Sequence, residues 1–91
     1  MKLRLTEAAR DDLRTVYAFD SERGPATADR AIGAILRAAN GLTQYPLLGK
    51  HGAITGTRER VLLRFPYRIV YQIEGDAIVV PRIIHTARQW P

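Results

Sequence analysis

Apolar and polar positions alternate in two different rhythms along this chain, and the change of rhythm divides it. Lys2-Leu3-Arg4-Leu5 alternates with period two and predicts a short strand at a sheet edge. Ala9, Leu13, Val16 and Tyr17 then recur at helical spacing, with Asp11, Asp12 and Arg14 on the other side. The predicted helix runs from about Glu7 to Glu22. Thr6 is placed to cap it, and Glu7 lies in its first turn, where negative charge is favoured. Gly24-Pro25 closes this helix and opens another, because Gly suits a helix end and Pro a first turn. Ala28, Ala31, Ile32, Ile35, Ala39 and Leu42 make the stripe of the second helix, predicted from about Ala26 to Thr43. Small alanines on that stripe predict close approach in an antiparallel helical hairpin.

The rhythm then reverts to strands. Tyr45 to Lys50 turns, and the glycine-rich residues 49–57 predict a mobile loop carrying His51, read as solvated. Val61-Leu62-Leu63, Ile69 to Ile73 and Ala77 to Ile84 are rich in branched and aromatic residues that fit a pleated surface. Glu74-Gly75-Asp76 predicts a hairpin turn. The expectation is a three-stranded antiparallel meander. In the strand Tyr67–Glu74, residues Tyr67, Ile69, Tyr71 and Ile73 share one face, and Arg68, Val70 and Gln72 the other. The order β-α-α-β-β-β makes a two-layer α+β domain spanning residues 1–91, with the helical hairpin on a small, mainly antiparallel sheet. The first strand can join only at an edge, parallel or antiparallel.

Charge changes this picture. The net charge is +5, and its distribution is uneven. Residues 1–49 hold seven Lys/Arg against six Asp/Glu, and residues 50–91 seven against three. The surplus therefore belongs to the sheet, where Arg58, Arg60, Arg64, Arg68, Arg82 and Arg88 recur. They form either a solvated face or a surface for an anionic partner.

Composition removes several chemistries. There is no cysteine, hence no disulfide and no thiolate nucleophile. His51 and His85 have no neighbours at metal-ligand spacing, so no metal or other cofactor is expected. No Walker-type loop, Gly-x-Ser-x-Gly or paired-carboxylate arrangement occurs. Asp11 and Asp12 are adjacent on a helix, diverge by about 100°, and read as a solvated face. No apolar run approaches the ~18 residues of a membrane span and charges interrupt Met1 to Arg10, so a soluble cytoplasmic protein is expected. What remains is arginine together with His85, Tyr67, Tyr71 and Trp90, a set that could bind phosphates. His85 reads as a strand-end histidine bonded to structure, and is also the one group here that could serve as base or acid near neutral pH. Tyr67 and Tyr71 share the parity of Ile69 and Ile73 and read as core. Trp90 reads as a cap on the core.

Six stretches in order carry a resemblance: Leu5-Thr6-Glu7-Ala8-Ala9-Arg10-Asp11-Asp12-Leu13, Tyr45-Pro46 with Gly49, Gly56-Thr57-Arg58-Glu59, Tyr67-Arg68-Ile69-Val70-Tyr71, Val79 to Ile84, and His85-Thr86-Ala87-Arg88-Gln89-Trp90. With these the chain resembles the RelE/ParE superfamily of toxins from bacterial type II toxin–antitoxin modules. The resemblance implies the β-α-α-β-β-β fold, a cognate antitoxin and growth arrest by the free toxin. RelE-like members cleave mRNA on the ribosome, and Arg68 and Arg88 match two arginines they use, with His85 a further candidate. ParE-like members inhibit DNA gyrase and cleave no RNA. The strand before Tyr67 lacks the RelE lysine pair, with Arg60 and Arg64 the nearest substitutes, and no tyrosine follows Arg88. His85 and Arg88 instead make the His-x-x-Arg ending of many ParE-like chains. The expectation is a gyrase inhibitor whose binding surface comprises Arg58, Arg60, Arg64, Arg68, Arg82, Arg88 and Trp90. The alternatives are an mRNA endonuclease acting with the ribosome, and a non-toxic basic binding module.

Overall fold

A computed structural model describes all residues, Met1–Pro91. The elements are β1 (Lys2–Leu5), α1 (Glu7–Ser21), α2 (Pro25–Gly41), β2 (Lys50–His51), β3 (Arg58–Val61), β4 (Tyr67–Glu74) and β5 (Ala77–His85). One five-stranded sheet has the order β1-β5-β4-β3-β2. The α+β expectation holds. β1 lies parallel to β5 at one edge, with Leu3 opposite Ile78 and Leu5 opposite Val80.

Local chemistry explains the helix ends. The Thr6 hydroxyl oxygen accepts the Ala9 N–H at 3.1 Å, removing one of the unpaired donors of the first turn. The same hydroxyl donates to the Pro81 carbonyl at 3.0 Å, tying the start of α1 to β5. α2 begins at Pro25 and closes at Gly41, two residues short of the predicted Thr43, because Leu42 and Thr43 turn back onto Ala39 and Asn40. Ala28, Ala31 and Ala39 are fully buried, and such small side chains let the two helices approach closely.

The expected mobile loop is instead a hairpin. Lys50 pairs with Glu59 and His51 with Arg58, and Gly52 N–H donates to the Thr57 carbonyl at 2.8 Å. His51 is exposed, as read, but on strand β2. Tyr71 holds the entry to this hairpin. Its buried hydroxyl donates to the Pro46 carbonyl at 2.7 Å and accepts the Gly49 N–H at 2.8 Å. A Cβ on residue 49 would lie 2.6 Å from the Tyr71 ring, so only glycine fits this approach. Gly49→Ala should destabilise the fold by about 1–3 kcal/mol through overpacking, read as a lower urea midpoint at unchanged slope. An unchanged midpoint would show that the turn relaxes freely.

The meander is shifted as well as extended. β3 ends at Val61, because Leu62 N–H turns to the Tyr67 carbonyl at 3.0 Å across a loop containing Pro66. Leu62 is buried, whereas Leu63 stands in solvent. The β4–β5 turn has Gly75 at φ 59°, a conformation that the first position of a tight hairpin favours and that glycine adopts freely. Tyr67, Ile69 and Tyr71 share the buried face as expected, while Ile73, beside the turn, is partly exposed.

β5 carries a bulge that alternation does not reveal. Val70 pairs with Arg82 and Gln72 with Val79, so β5 holds one residue more than β4 over this stretch. Pro81 sits there, and an irregular position suits a residue that has no N–H for the ladder. The extra residue reverses the alternation. Ile78 and Val80 before it and Ile83 after it all enter the core, and Arg82 is freed from it.

Candidate functional surface

The six arginines do not form one face. Arg58 fastens the β2–β3 hairpin, its Nη1 donating to the Gly49 carbonyl at 2.7 Å. Arg68 on β4 pairs with Glu59 at 3.5 Å and donates to the Arg88 carbonyl at 2.8 Å. Arg60 and Arg64 turn toward α2, lining a groove with Arg30 and Arg37. Arg88 is exposed on the segment after β5.

Arg82 is bound most firmly. Its Nε donates to Asp12 Oδ2 at 2.7 Å and its Nη2 to Oδ1 at 3.1 Å. Asp12 therefore does not belong to a solvated face, as its place beside Asp11 suggested. β1 ends opposite Val80, so the Ile83 N–H further along β5 has no strand partner. Asp12 Oδ2 accepts it at 2.9 Å. The hydrogen bond that Arg82 donates to Asp12 is the main reason the Arg82 pKa is raised above its usual value. Asp11, one residue away, is exposed and pairs only with Arg14. Trp90 does not cap the core: its ring lies 5.5 Å from the Arg82 guanidinium carbon, a cation–π contact. The chain Asp12–Arg82–Trp90 thus fixes the C-terminal segment to α1.

Beside this chain a pocket of about 330 Å³ opens between α1 and the end of the sheet. Val16, Phe19, Tyr67, His85 and Arg88 are among its walls. His85 stands edge-on to Tyr67 at 5.4 Å and to Phe19 at 6.4 Å. Its Nδ1 accepts the Ala87 N–H at 3.0 Å, leaving Nε2 as the nitrogen free for a partner. His85 is thus the strand-end histidine bonded to structure, and it also faces the pocket with Arg88. The fold brings these two together and joins Arg68 to them only through the Arg88 backbone.

Under the pocket lies a buried polar pair. Asp20 is 3% exposed, accepts the Tyr67 hydroxyl at 3.1 Å and meets Arg23 at 3.5 Å. Nothing in the spacing of Asp20 marks it, because its partner is 47 residues away. Burial, then the Asp20 hydrogen bond, pushes the Tyr67 phenol up to about 12. The folded state therefore holds this proton more tightly than the unfolded chain, whose phenol titrates near 10. The stabilisation is complete below pH ~10 and is lost as pH rises toward ~12, amounting to about 2–3 kcal/mol. Denaturant titrations across that window should show this fall in the wild type and a flatter profile in Tyr67→Phe. Parallel profiles would place the pH dependence elsewhere.

No group of three or more His, Cys, Asp or Glu side chains is placed to hold a metal ion. No helix is long and apolar enough to cross a membrane. Tyr67 and Tyr71 are buried and offer no stacking surface.

Residues 3–90 match the family described as the ParE toxin of the type II toxin–antitoxin system parDE. The chain belongs to the ParE toxin family. The Sinorhizobium fredii protein Y4kP is 34% identical over 90 residues, covering 99% of this chain and 93% of that protein. Among solved structures, the chromosomal ParDE system of P. aeruginosa aligns with a TM-score of 0.85 at 26% identity, over 93% of this chain and 95% of that one. The RelBE2 toxin–antitoxin complex of Mycobacterium tuberculosis aligns at 0.67 with 27% identity, over 92% and 95%. The E. coli RelBE complex, at 16% identity and a TM-score of 0.62, shares the fold. The ParE fold here accounts for the residues that the superfamily resemblance rests on. Thr6 is a cap, Gly49 is a close approach, and Asp12 is a clasp on β5.

Proposed function

We propose that this ParE-family chain is a growth-arresting toxin that inhibits DNA gyrase and is held inactive by a cognate antitoxin. The family match over residues 3–90 carries the reading. The P. aeruginosa and M. tuberculosis structures belong to toxin–antitoxin systems, which supports an antitoxin partner here. The arginine geometry favours a binding protein over a nuclease. A nuclease needs donors aimed at the developing charge of the transition state, yet the Arg68 guanidinium already serves Glu59 and the Arg88 carbonyl. Arg88 and His85 remain available at the pocket, and they would be the contact residues for the target.

The deciding experiment is a supercoiling assay with purified gyrase. Inhibition by the wild type is expected, together with no new cuts in translated mRNA by primer extension. Ribosome-dependent cuts that disappear in His85→Ala and Arg88→Ala would replace this reading by the endonuclease one.

A further inference from the structure

The pocket between α1 and the end of the sheet offers donors and no open acceptor. His85 Nδ1 accepts the Ala87 N–H, so the neutral imidazole carries its proton on Nε2 and presents an N–H. Arg88 is exposed at the pocket, and none of the chain's six ion pairs includes it. The acceptors are already engaged. Asp12 takes three donors, and the Thr15 hydroxyl is turned to the Asp11 carbonyl at 3.2 Å. The Tyr67 hydroxyl donates to Asp20 beneath the floor. The remaining walls are apolar or aromatic: Val16, Phe19, Tyr67 and Ile83. His85 stands at 82° to Tyr67 and at 69° to Phe19. A planar ring lying against His85 would therefore meet both of them edge to face, an arrangement that aromatic rings favour. Phe19 is 52% exposed, although Val16, one turn before it, is buried, so its ring is open to such a guest. The pocket volume of about 330 Å³ is about twice the ~150 Å³ that holds a benzene molecule. A ring with a short substituent fits it.

We infer that this pocket binds a small aromatic carboxylate, its ring against His85 and Phe19 and its carboxylate on Arg88 and the His85 Nε2–H. A guanidinium fork and a planar carboxylate match through two parallel hydrogen bonds. An amine would find two donors and no open acceptor. An inorganic anion would use the donors and leave the aromatic walls uncovered. Apolar walls around a few convergent polar groups are the usual form of a small-molecule site. The consequence for activity rests on the gyrase reading, in which His85 and Arg88 are the contacts for the target. A bound aromatic acid then competes with the target and relieves the toxin.

The test is a titration of the full chain followed by NMR. The probe is indole-3-acetate, with indole-3-acetamide, tryptamine and acetate as controls. A ligand of this size should bind with a Kd on the order of a millimolar or below. The amide and the amine should bind about tenfold more weakly or worse, and acetate should leave the Phe19 and His85 signals unmoved. Arg88→Ala and Phe19→Ala should each weaken indole-3-acetate by about tenfold. Neither residue belongs to the buried core cluster, and circular dichroism verifies the fold of both variants. Amide or amine binding as tight as the acid's, or undiminished binding in either variant, would overturn the site. So would the absence of any shift at several times that concentration. In the supercoiling assay, indole-3-acetate should restore gyrase activity with a midpoint that follows its Kd, measured against gyrase and probe without the toxin. A bound probe that restores nothing would separate the pocket from the target surface and overturn the competition. Failure of the chain to inhibit gyrase at all would instead sink the gyrase reading, with the titration still deciding the pocket.

Discussion

Deleting Ala87–Pro91 is expected to leave a folded chain that no longer arrests growth. The deletion removes Arg88 from the mouth of the pocket and Trp90 from the Arg82 guanidinium. It leaves the core untouched, because neither residue belongs to the buried cluster of Ile35, Ile69, Tyr71, Ile78 and Ile83. Arg82 keeps Asp12 and Arg68 keeps Glu59. The loss of stability should be about 1–2 kcal/mol, the scale of a desolvated cation–π contact. Growth on induction, read beside the thermal melt of the purified protein, separates the cases. A folded and fully toxic truncation would remove the C-terminal segment from the active surface. Arg88→Ala should reproduce the loss of arrest without the loss of stability, and Trp90→Ala the converse.

Asp12→Ala is expected to be the most damaging single change away from the core. Three donors converge on this carboxylate: two from Arg82 and one from the Ile83 backbone. Its removal strands a part-buried guanidinium and an unpaired strand N–H together. Breaking a buried pair costs several kcal/mol and an exposed one under ~1, so this half-buried case should cost about 2–4 kcal/mol. Asp11→Ala is the internal comparison. Its single contact with Arg14 is exposed, and its cost should stay below about 0.5 kcal/mol. Equal urea midpoints for the two variants would mean that the clasp contributes nothing to the fold. In Asp12→Ala the C-terminal segment should also loosen, since Arg82 then holds Trp90 from no fixed position, and proteolysis near Ala87 should accelerate.

The first strand, the two helices and the three strands β3–β5 in their order, the cap at Thr6, the break at Gly24-Pro25, the turn at Gly75 and the buried parity of Tyr67, Ile69 and Tyr71 were legible in the sequence alone, whereas the short strand β2 was not. Each depends on neighbours within about four residues, or on alternation within one strand. The family was legible for a related reason, because its features recur in order along the whole chain. The fate of the charges was not legible. Asp12 and Asp11 look alike in sequence, and only the end of β1 opposite Val80 leaves an N–H for Asp12 to satisfy. The clasp spans 70 residues and the Asp20–Tyr67 bond 47, and no local window contains both partners. The bulge at Pro81 decided which side of β5 Arg82 occupies, and strict alternation would have grouped it with Ile78 and Val80. Packing against α2 separated Arg60 and Arg64 from the other arginines and made an unpaired cationic groove with Arg30 and Arg37. Short-range sterics and hydrogen bonding made the elements, whereas the pairing of charges, and so the surface left over for partners, waited on the tertiary fold.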